Sequence, residues 1–225
     1  MAQSFWLPPL LALLLAALNW IAVGRGWRTI EVITKPGVML VLLVWLGSTA
    51  GFAPPPLWFA LGVLFSLAAD VILLLPPARW FVPGLVLFLI AHLCYIIGFL
   101  YTPPPLNPAS LAVALLVALP AVQVYRRISA SLQAQRQTGL RLPLLAYILA
   151  ISLMLLLALL TLVGESWLTL AALAASAGAL LFVSSDALLA WGRFVSPLKN
   201  GPVLVMASYH LGQFLLALAV ILQYA

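Results

Sequence analysis

Charged side chains are scarce in this sequence. Only 6% of its 225 residues are charged while 66% are hydrophobic, and the mean hydropathy is +1.22. This composition cannot supply the polar surface of a soluble domain, so it predicts an all-α polytopic membrane protein. We expect one integral-membrane domain over residues 1–225, in the inner membrane if the host is bacterial.

Cysteine and acidic residues are scarcer still. The single cysteine, Cys94, lies in an apolar segment, which excludes a disulfide framework and a thiolate metal site. We expect no metal and no cofactor. The ten Lys and Arg outnumber the four Asp and Glu, but their positions are those of topology signals rather than of a nucleic-acid surface, so no nucleic-acid partner is expected.

Apolar runs are what the chain has in abundance. Proline, glycine and arginine divide them into eight predicted transmembrane helices, each of about the length that a bilayer requires. The first run lacks the basic start and the cleavage site of a signal peptide, so we expect it to be retained. The predicted spans are about 5–23, 36–52, 57–75, 81–101, 108–125, 142–163, 167–191 and 202–223.

The basic residues support this count, because every Lys and Arg falls in a connection on the same side of the membrane. By the positive-inside rule that side is cytoplasmic, which places both termini on the non-cytoplasmic side. Losing or merging one span would scatter these charges over both sides. The residues are Arg25, Arg28, Lys35, Arg79, Arg126, Arg127, Arg136, Arg141, Arg193 and Lys199.

Two aspartates occur at matching places in the chain. Asp70 and Asp186 are each followed by an arginine and an aromatic residue, and a histidine comes about one helix later, His92 and His210 respectively. This pattern predicts a duplication into two parallel four-helix repeats, 1–125 and 140–225, with a pseudo-twofold axis along the membrane normal. A polar linker at 129–138 would divide them. Chance similarity is the alternative, because few positions match.

The polar groups of the spans are predicted to converge in the cytoplasmic half of the bilayer. An ionised carboxylate there costs at least about 2.5 kcal/mol, so it usually faces the protein interior and has a function. The alternatives are structural: aspartates and histidines that only hydrogen-bond neighbouring helices, and a Lys35 that snorkels to the interface. At about 1.5 Å per residue, the converging residues are Asn19, Lys35, Asp70, Asp186 and His210, with His92, Tyr95 and Gln213 nearer the midplane.

Five stretches of the chain carry a family resemblance. They are Lys35-Pro36 at the predicted start of span two, Ala69-Asp70, Ala91-His92-Leu93-Cys94-Tyr95, the run from Gly178-Ala179-Leu180-Leu181-Phe182 to Ser185-Asp186, and Tyr209 with Gln213. Together they resemble the YhhN family, which includes the TMEM86 lysoplasmalogenases. Two positions depart from the family pattern: Ala69 precedes Asp70 where glycine is usual, and His210 follows Tyr209 where a second tyrosine is usual.

The resemblance implies hydrolysis of the vinyl-ether bond of a lysoplasmalogen, giving a fatty aldehyde and glycerophosphoethanolamine or glycerophosphocholine. The reaction begins with a proton delivered to the alkene carbon β to oxygen, and water then captures the oxocarbenium ion. Asp70 and Asp186 would divide this work, one as a neutral acid and the other as a stabilising anion, as in glycosidases and aspartic proteases. His210 or His92 would activate water or carry protons.

The substrate partner is thus expected to be a lysophospholipid in a pocket open to the cytoplasmic side and surrounded by membrane lipids. Lys35, with Asn19, is expected to hold the headgroup phosphate. A small transporter or proton-coupled carrier of lipids or amphiphiles is the competing function, although no broken-helix pattern is seen. A zinc hydrolase would use every catalytic group as a ligand, and a purely structural protein is the remaining alternative. The other expected substrate-binding residues are His92, Tyr95, Ser185, Tyr209 and Gln213.

Overall fold

Eight long helices make up the protein, in a computed structural model that describes residues 2–76 and 78–225. All eight are long and apolar enough to cross a membrane, and no strand occurs in these ranges. The predicted all-helical membrane fold is confirmed. The helices are α1 (Ala2–Arg25), α2 (Arg28–Ala50), α3 (Pro56–Leu73), α4 (Phe81–Leu100), α5 (Pro108–Ala134), α6 (Arg141–Leu160), α7 (Thr169–Phe194) and α8 (Gly201–Tyr224).

The start of α2 corrects the sequence prediction. Lys35 was expected to open this helix, but α2 begins at Arg28 and contains Pro36 in its interior. Proline normally marks a helix start or break, yet transmembrane helices tolerate it because neighbouring groups satisfy the freed backbone atoms. As a result, Lys35 lies inside the bundle, where it is only 6% exposed.

The end of α5 is a second correction. The polar stretch 129–138 was predicted as a linker, but α5 continues through Ala134. Ile128 and Leu132 are one turn apart and both buried, so this turn has an apolar face to pack. The hydroxyl of Ser131 and the amide of Gln135 also donate to the carbonyl oxygen of Phe194, which ties this end of α5 to α7.

Consecutive helices pack as neighbours from α1 to α4 and from α5 to α8. In addition, α8 packs on α1, α2 and α3, and α4 packs on α6. The closest pair is α7 with α8. A Cβ atom on Gly178 would lie 2.8 Å from the backbone nitrogen of Leu216, and one on Gly212 would lie 2.9 Å from the carbonyl oxygen of Gly178. Only glycine permits this approach, which is a common way to pack transmembrane helices. This closely packed pair lies beside the polar residues described below.

All connections that carry Lys or Arg meet at one end of the bundle, which we call the basic end. It is formed by the carboxyl ends of α1, α3, α5 and α7 and the amino ends of α2, α4, α6 and α8. Contacts across it include Arg28 donating to the carbonyl oxygen of Leu74 and Phe81 packing edge-on against Phe194, with ring centroids 5.9 Å apart.

Candidate functional site

A cavity of about 610 Å³ lies between α4, α5, α6 and α7. Its walls are almost entirely apolar, and Asp186 and Tyr147 bring polar atoms to them. Leu116 and Leu180 line it while being 67% and 53% exposed. The cavity is therefore open sideways toward the surface that would face lipid.

Asp186 stands at the cavity wall with two partners. The hydroxyl of Tyr147 donates to its Oδ2 at 2.6 Å, and Nε2 of His92 lies 3.6 Å from the same oxygen. Tyr147 comes from α6 and His92 from α4, so three helices meet at this carboxyl. We call these three residues the Asp186 cluster.

The tautomer of His92 follows from its other contact. Its Nδ1 lies 2.6 Å from the carbonyl oxygen of Phe88. A carbonyl can only accept, so Nδ1 carries the proton and a neutral His92 presents the lone pair of Nε2 to Asp186. At 3.6 Å the two atoms are too far apart for a hydrogen bond, and Nε2 has no hydrogen-bonding partner among the described residues. Its lone pair is therefore a buried proton acceptor beside the carboxyl.

Asp70 lies in a separate buried network. Nζ of Lys35 is 3.2 Å from its Oδ1, and the hydroxyl of Tyr209 donates to its Oδ2 at 2.7 Å. Asp70 is fully buried and does not line the cavity. The ammonium of Lys35 is engaged with this buried carboxylate, and the expectation that Lys35 holds the headgroup phosphate stays a prediction.

Phe182 fills the space between these two networks. Its ring lies 4.7 Å from that of His92 and 5.5 Å from that of Tyr209, measured between centroids. The two aspartates therefore belong to one buried region but share no hydrogen-bonding partner within the described residues. Of the two, only Asp186 reaches the cavity.

Other residues expected in the site form buried hydrogen bonds between helices. Tyr95 donates to Oε1 of Gln213 at 2.6 Å, and Gln213 donates to Ser66 at 3.0 Å. The hydroxyl of Ser185 donates to the carbonyl oxygen of Val205 at 3.0 Å. None of these side chains lines the cavity, and their contacts join α3, α4, α7 and α8.

The remaining two expected residues lie near α1. Nδ2 of Asn19 donates to Oγ1 of Thr34 at 3.0 Å, which joins α1 to α2. The indole of Trp20 donates to Nδ1 of His210 at 3.2 Å. The ring of His210 packs against that of Tyr209, with centroids 5.3 Å apart, so His210 lies on the Asp70 side of the buried region.

Tyr147 was missed by the sequence analysis although it contacts the carboxyl at the cavity. Its signal was present: it is the tyrosine of the predicted span six, an apolar run in which a buried hydroxyl needs a partner. At about 1.5 Å per residue, its distance from the basic end is similar to that of Asp186.

Comparisons with known proteins agree with the sequence resemblance. The YhhN family model matches residues 30–220. The lysoplasmalogenase TMEM86B of Mus musculus is 32% identical over 217 residues, which cover 95% of this chain and 85% of that protein. The lysoplasmalogenase TMEM86B of Homo sapiens is 31% identical over 216 residues, with the same 95% and 85% coverage. No solved structure matches the chain.

The family match extends over both aspartates, both histidines and Tyr147, and it leaves out Asn19. Its length, together with the similarity over nearly the whole chain, shows more than a shared apolar composition. This protein is an integral membrane protein that belongs to the YhhN family.

Proposed function

We propose that this protein hydrolyses the vinyl-ether bond of a lysoplasmalogen, the activity named for its TMEM86B relatives. One observation carries the proposal: the carboxyl of Asp186 stands at the wall of an apolar cavity of about 610 Å³, beside a proton acceptor and a phenol. An apolar cavity open to lipid suits a long alkenyl chain. A carboxylic acid suits the proton transfer that begins the reaction.

The proposed reaction balances with one water and no net proton. Protonated Asp186 gives its proton to the alkene carbon β to oxygen, and the carboxylate left behind stabilises the oxocarbenium ion. Water adds to the cationic carbon and loses a proton, which His92 returns to Asp186. The hemiacetal then breaks its bond to the glycerol oxygen, which leaves as a hydroxyl, and the fatty aldehyde is released.

Asp70 has a positioning role in this proposal. Its ion pair with Lys35 and its bond from Tyr209 join α2, α3 and α8. Because Tyr209 packs on Phe182 and Phe182 packs on His92, this network supports the proton acceptor of Asp186. His210, the other histidine expected to carry protons, is assigned to the same supporting network through its contact with Tyr209.

We also infer that the basic end faces the cytoplasm, with both termini on the other side, because all ten Lys and Arg lie toward that end.

We propose as well that the two halves of the chain form parallel repeats, in which α3 and α4 correspond to α7 and α8. Superposition of α1–α4 on α5–α8 tests the repeat. An axis in the membrane plane, instead of along its normal, would exclude it.

The proposed activity is tested with purified protein and two substrates, a lysoplasmalogen and its saturated-ether analogue. We expect aldehyde from the first substrate only, because the saturated ether has no alkene carbon to protonate. Asp186→Asn is the matched control, since it keeps the shape of the side chain without its acid. Absence of aldehyde from the lysoplasmalogen, or equal release by Asp186→Asn, would reject the proposal.

A further inference from the structure

We propose that Arg141 and Arg193 bind the phosphodiester of the substrate headgroup at the basic end of the cavity, while the alkenyl chain extends toward the opposite end. This inference rests on the proposed function and names the binding site and orientation of its substrate. In this proposal the two arginines hold the phosphate in place of Lys35, because the ammonium of Lys35 is engaged with Asp70.

The cavity extends unequally on the two sides of the Asp186 cluster. Its lining along α6 runs from Leu140, the residue before this helix, through Tyr147 to Leu159. At about 1.5 Å per helical residue, the cavity continues about 18 Å from Tyr147 toward the far end and about 10 Å toward the basic end. We call these two parts the long arm and the short arm. The reacting carboxyl is therefore nearer the basic end.

A lysoplasmalogen also extends unequally on the two sides of its reacting carbon. An extended chain advances about 1.2 Å per bond, as a peptide backbone does over its three bonds per residue. Seven bonds separate the alkene carbon that is protonated from the phosphorus, a span of about 8 Å that the short arm accommodates. The long arm accommodates about 15 further bonds of alkyl chain. The lengths of the two parts of the substrate match those of the cavity when the phosphate points toward the basic end.

Two arginines adjoin the basic end of the cavity, and neither forms an ion pair with a carboxylate of the described residues. The guanidinium of Arg193 lies 5.1 Å from the ring centre of Phe81, which lines the cavity. Arg141 follows the lining residue Leu140 and uses its Nε to donate to Ser129 at 2.7 Å. Both side chains are exposed at this end.

All four acidic residues of the chain are accounted for elsewhere. Glu31 pairs with Arg28, the two aspartates have the partners given above, and Glu165 lies in the connection between α6 and α7 at the opposite end. The guanidinium groups are thus available to an anion, and arginine is suited to bind a phosphate through several donors at once.

The test compares two substrates with the same vinyl ether and chain, a lysoplasmalogen and an alkenylglycerol that lacks the phosphate. Arg141→Gln and Arg193→Gln should each raise KM for the lysoplasmalogen about tenfold, because a charge-assisted bond to the phosphate is lost. kcat should change little, and KM for the alkenylglycerol should be unchanged. Arg126→Gln is the control: it removes the same charge near the same end, but Arg126 is not next to a lining residue in the sequence, whereas Arg141 follows Leu140 and Arg193 precedes Phe194.

Equal losses with both substrates, no loss with either, or an equal loss in Arg126→Gln would overturn the phosphate site. A second measurement does not depend on turnover. The saturated-ether lysophospholipid should raise the melting temperature of the wild type more than the matching alkylglycerol, and this difference should shrink in Arg141→Gln and Arg193→Gln. Equal shifts in the wild type would overturn the site even if no aldehyde is formed, while a difference without aldehyde would count against the proposed reaction alone.

Discussion

The long arm of the cavity limits the length of the alkenyl chain that the site accepts, and one substitution can lower that limit. Ser152 lines the cavity on α6, and at about 1.5 Å per residue it is about 8 Å beyond Tyr147. A tryptophan at this position would cut the arm from about 18 Å to about 8 Å. At about 1.2 Å per bond, room would remain for about six bonds beyond the vinyl ether instead of about 15.

Ser152→Trp should therefore discriminate against long substrates. The methylenes of the alkenyl chain that the tryptophan displaces would enter the bilayer and not water. The free-energy cost of the substitution is therefore steric and not hydrophobic. Overpacking costs typically about 1–3 kcal/mol, which lowers kcat/KM roughly 5- to 150-fold. We expect that loss for a chain of about 16 carbons and little change for one of about eight, as counted from the remaining bonds.

The assay measures aldehyde release from the two chain lengths in mixed micelles and compares the ratio of their kcat/KM values. Leu149→Trp provides the control, since it adds the same bulk to the same helix at a residue that is 61% exposed and outside the cavity lining. A parallel loss for both chains, or the same ratio in both variants, would refute the assignment of this arm to the alkenyl chain.

Three other predictions concern the buried polar groups and the proton. Asp186→Asn should lower kcat about 10²-fold or more while helix content by circular dichroism is unchanged, because it removes the acid and the anion together; near-normal turnover would exclude Asp186 as the donor. Lys35→Met should destabilise the protein by about 3–5 kcal/mol, because it leaves Asp70 charged and unpaired. Adding Asp70→Leu to this variant should recover much of the lost melting temperature. Equal melting temperatures of the wild type and Lys35→Met would show that the ion pair does not stabilise the fold. In D₂O, mass spectrometry of promptly reduced aldehyde should find one deuterium at the carbon next to the carbonyl, and its absence would contradict protonation at the β carbon.

The sequence was enough to predict the number of helices and the position of both aspartates inside the bundle: Asp70 is fully buried and the side chain of Asp186 is 10% exposed. Composition and the positions of the prolines and arginines determine where an apolar chain can cross a bilayer. The span limits therefore agree with the helices to within a few residues except at 28–35 and 126–134. Both exceptions arise because proline and polar residues were interpreted as helix ends, while packing allowed the helix to continue.

The partners of the aspartates could not be predicted in the same way. These helices are apolar on nearly all sides, so hydrophobic periodicity does not indicate which face of each helix points inward. Tyr209 and Tyr147 are equally plausible partners from sequence, and only the rotation and crossing of α6 and α8 assign one to each carboxyl. The cavity was likewise unpredictable, because it depends on α5 packing against α6 and α7 while leaving a gap beside α4.

The sideways opening at Leu116 and Leu180 has a consequence for what happens after bond cleavage. A fatty aldehyde formed beside Asp186 would lie next to the hydrocarbon phase, into which it can diffuse without crossing water. The glycerophospho-base would leave toward the arginines and the aqueous phase. The two fragments would thus separate into different solvents at the moment of release, which hinders their recombination and keeps a reactive carbonyl compound within the membrane.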